Sequence, residues 1–344
     1  MRVGLVFHKN PLAPPTSIDL IRLRAISQGL IHLGLEVEII APIATDSLLA
    51  ETIPVRPLKV LNNKGYFHML KTCYHPSIRL IDAYQGPVVS RLVRVVDEQW
   101  PERDQASRGE LLACQELIRS RAAALVFNNQ ENLQRWRQIY GARIPAIIVP
   151  SGCPAHIPPP RKNPFSPSLP VLLFLGSLAA PRMLQMLNEL AVRLQGRVEL
   201  HFIGRNKAAM YGGSPDQKLH PLIVDHGEIQ ENEIWDYLRN AAIGLALATG
   251  PHPFDNDVSK ILYYLRGGLP VISEEPILNN NLIRETGWGQ IFRHGDLDDL
   301  EDKTNLILAG RLATKKEIVM EFMATHHSWD QRAETFRQFF QRWN

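Results

Sequence analysis

Ser151 and Cys153 are the first candidates for covalent chemistry, because either side chain could act as a nucleophile beside a suitable base. The sequence lacks the G-x-S-x-G turn that exposes a catalytic serine, and no motif supplies a base for Cys153. The three cysteines, Cys73, Cys114 and Cys153, lie far apart and form no Cys-x-x-Cys pair. This pattern argues against a disulfide framework and a structural zinc site, and it fits thiols that pack in a reducing compartment.

Other signatures of catalysis or nucleotide binding are also missing. The chain contains no Walker loop, no His-x-x-x-His helix and no Gly-x-Gly-x-x-Gly after a predicted strand. His8 stands at the carboxyl end of the first predicted strand, where a single histidine is typical of a local hydrogen bond rather than of catalysis.

Length and charge limit the classes of protein that remain. The 344 residues suit two domains of about 150 residues each. A formal net charge of +3 is too small for a dedicated nucleic-acid binder, so we expect no nucleic-acid partner. Residues 1–158 hold 18 Lys+Arg and 13 Asp+Glu, against 20 and 22 in the rest. The mildly basic first part could favour an anionic acceptor or a membrane surface, or could be ordinary solvated surface.

The sequence gives no sign of a targeting or membrane segment. It opens with Met1-Arg2-Val3-Gly4-Leu5-Val6-Phe7, which reads as a strand rather than a signal peptide. No apolar run approaches the roughly 20 residues that cross a bilayer. We therefore expect a cytoplasmic protein, and peripheral contact with a membrane stays open.

Alternation of apolar strands and amphipathic helices predicts the fold. Residues 3–7 and 37–42 read as buried strands around a helix that Ser17 caps and Gly34 ends. Such a unit is typical of a parallel sheet covered on both faces. Further strands are predicted at 87–96, 124–127, 146–149, 171–175, 198–203, 243–246 and 270–273, with helices at 108–123, 130–140, 182–194, 231–240 and 259–266.

A proline-rich linker divides this pattern. Residues 150–170 contain eight prolines and little periodicity, and the strand–helix rhythm resumes beyond them. The last segment, 329–343, is amphipathic, with Ala333, Phe336, Phe339 and Phe340 on one side. We expect an α/β protein of two Rossmann-like doubly wound domains, 1–158 and 159–327, facing across a cleft between the carboxyl ends of their sheets, where open sheets bind ligands.

Five segments in order resemble glycosyltransferase family 4 and its relatives, which have the two-Rossmann GT-B fold. The most specific is Ser259-Lys260-Ile261-Leu262-Tyr263-Tyr264-Leu265-Arg266-Gly267-Gly268-Leu269-Pro270-Val271-Ile272, which is similar to the family's P-x-K-x-x-E-Y-x-x-x-G-x-P-V. The others are Gly34-Leu35-Glu36-Val37, Val149-Pro150-Ser151-Gly152, Phe174-Leu175-Gly176-Ser177-Leu178 and His226-Gly227-Glu228-Ile229. The closing Ser328-Trp329-Asp330 and its helix (328–344) resemble the segment that returns to pack on the first domain.

This resemblance implies roles for residues of the second domain. Arg182, Lys260, Gly176 and Ser177 would bind the donor diphosphate, the guanidinium as a fork and Lys260 from the first turn of its helix. Tyr263 and Ile229 would contact the ribose or base of the donor.

Departures from the family pattern concern the catalytic groups. Many members carry two glutamates seven residues apart, for which this chain has Asp255 and Tyr263. A carboxylate is kept at the first position, whereas a phenol at the second can make only one good contact to a ribose diol. The family's mid-domain histidine has no counterpart, and Asp97 stands nearest. Asp255 and Asp97 are therefore the candidate catalytic residues.

The resemblance implies transfer of a hexosyl unit from a nucleoside-diphosphate sugar to a glycan or lipid-linked acceptor. The reaction would be retaining and would need neither a metal nor another cofactor. Two alternatives stay open: a nucleotide-sugar epimerase of the same fold, and a degenerate relative that binds a glycan without turnover. Tyr263 and the absence of the family's glycine pair from the loop after the first strand keep the degenerate alternative open.

Overall fold

The computed structural model describes residues 1–13, 17–97, 105–166, 168–211, 213–214, 216–253 and 256–343. Two compact units divide the chain. Unit 1 comprises Met1–Gly152 and Trp329–Asn344, and unit 2 comprises Cys153–Ser328. The border between them follows Gly152, inside the proline-rich segment 150–170.

Unit 1 is built on an eight-stranded sheet. Its strands are β1 Arg2–Val6, β2 Glu36–Ala41, β3 Ser47–Leu49, β4 Ile53–Pro57, β5 Met69–Thr72, β6 Val88–Leu92, β7 Ala124–Phe127 and β8 Ala146–Ile148. They lie in the order β3-β4-β2-β1-β5-β6-β7-β8, and only the β3–β4 pair is antiparallel. The helices described in this unit are α1 Ile18–His32, α2 Gln105–Arg121, α3 Gln130–Tyr140 and α10 Trp329–Phe340, with 3-10 turns at Leu58–Asn62, His75–Leu80 and Gln341–Trp343.

Unit 2 is built on a six-stranded parallel sheet. Its strands are β9 Val171–Leu175, β10 Glu199–Ile203, β11 Ile223–Asp225, β12 Ile243–Ala246, β13 Val271–Glu274 and β14 Gly289–Phe292, in the order β11-β10-β9-β12-β13-β14. The helices are α4 Pro181–Arg193, α5 Glu231–Asn240, α6 Lys260–Arg266, α7 Asn280–Thr286, α8 Leu297–Leu308 and α9 Lys316–His326, with a 3-10 turn at Ala208–Tyr211.

Burial on both faces explains the apolar strands of unit 1. Along β1, Leu5 packs into the core beneath α1 and α10, while its neighbour Val6 packs into the core on the opposite face. Ser17 caps α1 as predicted, since its hydroxyl accepts a hydrogen bond from the Leu20 amide at 3.4 Å. Both faces of the strand are therefore removed from water, which is the condition for a continuous apolar run.

The predicted fold class, α/β with two Rossmann-like parallel-sheet domains, is confirmed. The predicted strands at 171–175 and 243–246 and the helix at 231–240 agree with the structure to the residue. The sequence predicts no element at β3, β4, β5, β11 or β14, nor at the helices α7, α8 and α9. Within the described ranges, no helix is both long and apolar enough to cross a membrane.

The last helix completes the core of unit 1. Ala333, Phe336, Phe339 and Phe340 of α10 are buried in the core that α1 covers. The two helices approach closely at Gly29 of α1, where an added Cβ would stand 2.5 Å from the Cβ of Ala333. A hydrogen in place of a side chain at residue 29 is therefore what lets α10 pack this tightly.

Substitution of Gly29 tests this packing, and Gly109 of α2 provides a matched control. Gly29→Ala forces α1 and α10 apart, so we expect a loss of about 1–2 kcal/mol in the free energy of unfolding, since overpacking outweighs the gain in helix propensity. An added Cβ at Gly109 meets no atom within 4 Å, so Gly109→Ala should stabilise the protein by up to about 1 kcal/mol. Urea denaturation measures both, and equal effects would contradict the close contact.

Candidate functional site

The amino group of Lys260 lies at the carboxyl edge of the unit 2 sheet. Lys260 is the first residue of α6 and is half-buried, with its Nζ 3.7 Å from the centre of the Phe174 ring. A Cβ added to Gly176 would stand 3.4 Å from Lys260 Cε and 3.7 Å from its Nζ. Gly176 has a φ of +104°, so a residue with a side chain would be strained there. The lysine side chain thus ends directly above a glycine backbone.

No described carboxylate or hydrogen-bond acceptor contacts this amino group, which instead makes a cation–π contact with the Phe174 ring. Burial lowers the pKa of Lys260 to about 7, because the charged form loses its hydration without gaining a counter-charge. An anion bound over Gly176 would supply that counter-charge.

Arg182, by contrast, points its guanidinium into the protein. Its Nη1 and Nη2 donate to the two carboxylate oxygens of Glu274 at 3.1 and 2.5 Å, and Nη1 also donates to the Ala248 carbonyl at 2.6 Å. The resemblance assigns this fork to phosphate oxygens, but in the structure the fork binds Glu274. The Arg182 side chain retains 27% exposure.

Glu274 is fully buried at the end of β13 and gathers several donors. Besides Arg182, it accepts from the backbone amides of Ala248 at 2.7 Å and Gly295 at 2.9 Å, and His294 Nδ1 lies 2.7 Å away. The carboxylate therefore ties the start of α4 to the loops that follow β12 and β14. A buried carboxylate is tolerated only with such a set of partners.

Tyr263 is held in a similar way and does not present its hydroxyl to an open surface. The ring is 4% exposed and stacks on Trp235 with 5.3 Å between centres. Its hydroxyl donates to Glu231 Oε1 at 2.8 Å. Glu231 is the first residue of α5 and follows Ile229 by two residues. The hydrogen bond from the Tyr263 hydroxyl holds this carboxylate at the start of the helix. A carboxylate on α5 therefore lies beside the hydroxyl of Tyr263.

Tyr264 and Asn256 fix the backbone at the same sheet edge through buried hydrogen bonds. The Tyr264 hydroxyl accepts from the Leu175 amide at 2.7 Å and lies 3.0 Å from the Leu245 carbonyl, which fixes α6 to β9 and β12. Asn256 is fully buried. Its side-chain oxygen accepts a hydrogen bond from the Thr249 amide, and its side-chain nitrogen donates to the carbonyls of Gly250 and His252. Both side chains are buried, so they hold the backbone of the site in place and do not line its surface.

The remaining predicted site residues are spread more widely. Ser177 and Ile229 are half-buried in the β9–α4 and β11–α5 connections. Asp97 belongs to unit 1, where it pairs with Arg135 of α3 at 2.9 Å. Asp255 lies outside the described residues. The structure therefore brings together Gly176 and Lys260, with Arg182 and Tyr263 anchored to carboxylates at the same sheet edge.

Sequence reasoning missed Glu231, Asn256 and Glu274. The position of Glu274 carried a signal, because a charged residue directly follows the predicted strand 270–273. Nothing in the sequence links Glu231 to Tyr263, which follows 32 positions later. Over the described ranges, no group of three or more His, Cys, Asp or Glu side chains is arranged to hold a metal ion.

The different surroundings of the two cations give opposite expectations for stability. Arg182→Met leaves the buried carboxylate of Glu274 without its main partner, so the free energy of unfolding should fall by about 3 kcal/mol. Lys260→Met removes the amino group of a half-buried lysine that has no described counter-charge, so it should not lower the free energy of unfolding. Chemical denaturation followed by circular dichroism measures both variants, and equal losses would contradict the assignment.

Comparison with known proteins rests on structure alone, because neither a protein-family model nor a curated protein matches the sequence. The chain is similar to the sucrose-phosphate synthase of Thermosynechococcus elongatus, with 13% identity, a TM-score of 0.77 and coverage of 99% of this chain and 98% of that one. For HepE of Anabaena in complex with UDP-glucose, the values are 12%, 0.75, 99% and 100%. For AviGT4, a glycosyltransferase of avilamycin A biosynthesis, they are 15%, 0.63, 99% and 97%. At these identities the likeness establishes a shared fold.

Proposed function

We propose that the protein is a glycosyltransferase that moves a hexosyl unit from a nucleoside-diphosphate sugar to a glycan or lipid-linked acceptor. The observation that carries this proposal is the half-buried side chain of Lys260, whose amino group ends above the Gly176 backbone without contact to a described carboxylate. The fold shared with a UDP-glucose complex supports it and makes a uridine diphosphate sugar the first donor to test.

Lys260 would bind the diphosphate and stabilise it as the leaving group. When the bond between the sugar and the diphosphate breaks, its electron pair stays on a phosphate oxygen, and a cation already in place lowers the energy of that charge. The start of α4 can help, since no side chain caps its first amides. Gly176 lets the phosphate approach the backbone. We therefore propose a retaining transfer that requires no metal.

Arg182 would contribute less directly than Lys260. Because its fork binds Glu274, its charge is largely compensated inside the protein. It would orient the β9–α4 connection, which contains Gly176 and Ser177, and add its remaining N–H groups to the phosphate only at the exposed side. Substitution of Arg182 should therefore weaken donor binding partly by disturbing the site.

Transfer is tested with a panel of uridine, guanosine and adenosine diphosphate sugars, by following nucleotide release with and without glycan acceptors. The proposal expects acceptor-dependent release, reduced about ten- to a hundredfold in Lys260→Met. Lys218 is exposed in unit 2, so Lys218→Met should behave as the parent. An isomerised donor without transfer would indicate an epimerase, and absence of binding would indicate a degenerate relative.

Proton uptake provides a second test of Lys260. With a pKa of about 7, this amine is mostly neutral at pH 8, and a bound diphosphate favours its charged form. UDP binding at pH 8 should therefore take up about one proton, and affinity should fall as the pH rises above about 7. Calorimetry in buffers of different ionisation enthalpy measures the uptake. Lys260→Met should lose it and Lys218→Met should keep it; uptake that persists in Lys260→Met would contradict the proposal.

Glu231 is proposed to accept hydrogen bonds from the donor ribose in place of the carboxylate absent at Tyr263. A carboxylate can bind two hydroxyls, and the Tyr263 hydroxyl fixes its orientation. We expect the parent to bind UDP more tightly than 2′-deoxy-UDP, and Glu231→Gln to reduce this preference about tenfold. Glu233, exposed on the same helix, supplies the control Glu233→Gln. An undiminished preference in Glu231→Gln would contradict this role.

A further inference from the structure

Two histidines of unit 2 are in direct contact. His201 is the third residue of β10 and is buried, and His226 directly follows β11. Their rings stack at an angle of 21° with 5.1 Å between centres, and His201 Nδ1 lies 2.8 Å from His226 Nε2. At this distance the two nitrogens form a hydrogen bond, in which one donates and the other accepts. A single proton therefore lies between the rings.

Glu199 extends this hydrogen-bonded chain to the proline-rich segment that precedes β9. Its Oε2 lies 3.4 Å from His201 Nε2, and its Oε1 accepts from the amide and the hydroxyl of Ser168 at 3.0 and 3.2 Å. An ionised carboxylate can only accept, so His201 Nε2 carries a proton. In the neutral pair, His201 Nδ1 must then accept the hydrogen bond that His226 Nε2 donates.

Phe165 covers the histidine pair from the same segment. Its buried ring lies edge-on to His201, with 4.8 Å between centres, and edge-on to Tyr237 of α5 at 5.4 Å. Tyr237 in turn lies edge-on to His226 at 5.0 Å. The packing of Phe165 therefore depends on the position of both histidine rings.

The part of the segment that contacts the pair has few other attachments. Residues 154–166, all of which are described, form neither helix nor strand, and arginines of α5 and α6 bind backbone carbonyls near their start. Between residues 162 and 169, the described hydrogen bonds and ring contacts with the rest of unit 2 are those of Phe165 and Ser168. Because β10 and β11 pair in the sheet, this stretch is the partner that can move away.

The stacked pair can bind one further proton but not two. A proton added at His226 Nδ1 leaves the hydrogen bond between the rings intact. A second one would have to enter at His201 Nδ1, where it would place two N–H groups head to head at 2.8 Å. Once the rings are separated, each can bind a proton. Acid therefore favours separation of the rings.

Two carboxylates and a phenol surround the pair. Glu199 on β10 and Asp225 on β11 favour the charged forms of the rings next to them. On α5 the titratable group at the contact is the phenol of Tyr237, which is itself near Glu233. The side chains that the proline-rich segment brings to the contact are uncharged.

Burial outweighs these carboxylates and lowers the pKa of both His201 and His226 below the ordinary value of about 6.5. Separated rings in water bind protons near that pH, whereas the stacked rings bind them only at lower pH. The stacked arrangement is therefore stable at neutral and higher pH, and it loses stability as the pH falls below about 6.5.

We propose that the His201–His226 pair is a latch operated by protons, which holds Phe165 and Ser168 on the sheet of unit 2 at neutral pH and releases them in acid. Release exposes the Phe165 ring and frees the Ser168 amide from Glu199. The latch belongs to unit 2 alone and does not depend on the proposed transferase function.

Hydrogen–deuterium exchange of the full-length protein at pH 7.5 and 5.0 tests the latch, with rates corrected for the intrinsic effect of pH on amide exchange. We expect the protection of the Ser168 amide to fall at least about tenfold at the lower pH, because the released state binds one proton more. Amides of β9 and β10 should stay protected. His156 is an exposed histidine of the same segment, so His156→Gln should respond as the parent.

His226→Gln removes one of the two titrating rings while its side-chain amide can still donate to His201 Nδ1. The loss of Ser168 protection between pH 7.5 and 5.0 should be at least about threefold smaller in this variant than in the parent. NMR titration of the histidine rings in the parent provides a second readout. Protonation of the second ring should coincide with the loss of Ser168 protection.

Three results would overturn the latch. The first is a Ser168 amide that stays protected at pH 5.0 in the parent, and the second is an equal loss of protection in β9 and β10, which indicates general unfolding. The third is a His226→Gln variant with the full pH response of the parent. If this variant does not hold Ser168 at pH 7.5, the titration of the parent decides: two rings that both become protonated while Ser168 stays protected contradict the proposal.

Discussion

The cost of partly burying an ammonium group, with no counter-charge among the described residues, is the constraint on which the proposed site depends. Lys260 is held between the Phe174 ring and the Gly176 backbone, and its pKa falls to about 7. An apolar side chain in place of Lys260, or a carboxylate beside it, would remove this cost. A site that binds a diphosphate gains from it, because the ligand supplies the missing charge and binding becomes linked to a proton.

Two carboxylates at the same sheet edge, Glu274 and Glu231, accept hydrogen bonds that compensate their charge. Glu274 engages Arg182 and two backbone amides, so it stiffens the loops around the site. Glu231 accepts a hydrogen bond from the hydroxyl of Tyr263, which fixes the orientation of its carboxylate. The two basic residues that the sequence suggested as one clamp therefore have different surroundings: Arg182 pairs with the buried Glu274, and no described carboxylate contacts Lys260.

Much of the fold could be predicted because the predicted strands are continuous apolar runs and the predicted helices carry a cap residue or an apolar stripe, whereas the pattern missed α7, α8, α9, β11 and β14. β3, β4 and β5 were also missed, and in β4 two prolines, Pro54 and Pro57, interrupt the strand pattern. Gly176 and Lys260 could be named as candidate site residues because they lie in motifs that follow the order found in the family. The partners of Arg182 and Tyr263 could not be predicted, because Glu274 lies 92 residues from Arg182 and only the folded sheet brings them together.

The most direct test of the central claim is an NMR titration of Lys260 in protein labelled with ¹³C at lysine Cε, with Lys260→Met used to assign the resonance. The account predicts a pKa near 7 in the free protein, rising toward the ordinary 10.5 of lysine when UDP is bound. An ordinary pKa in the free protein, or a depressed pKa that UDP does not change, would contradict it.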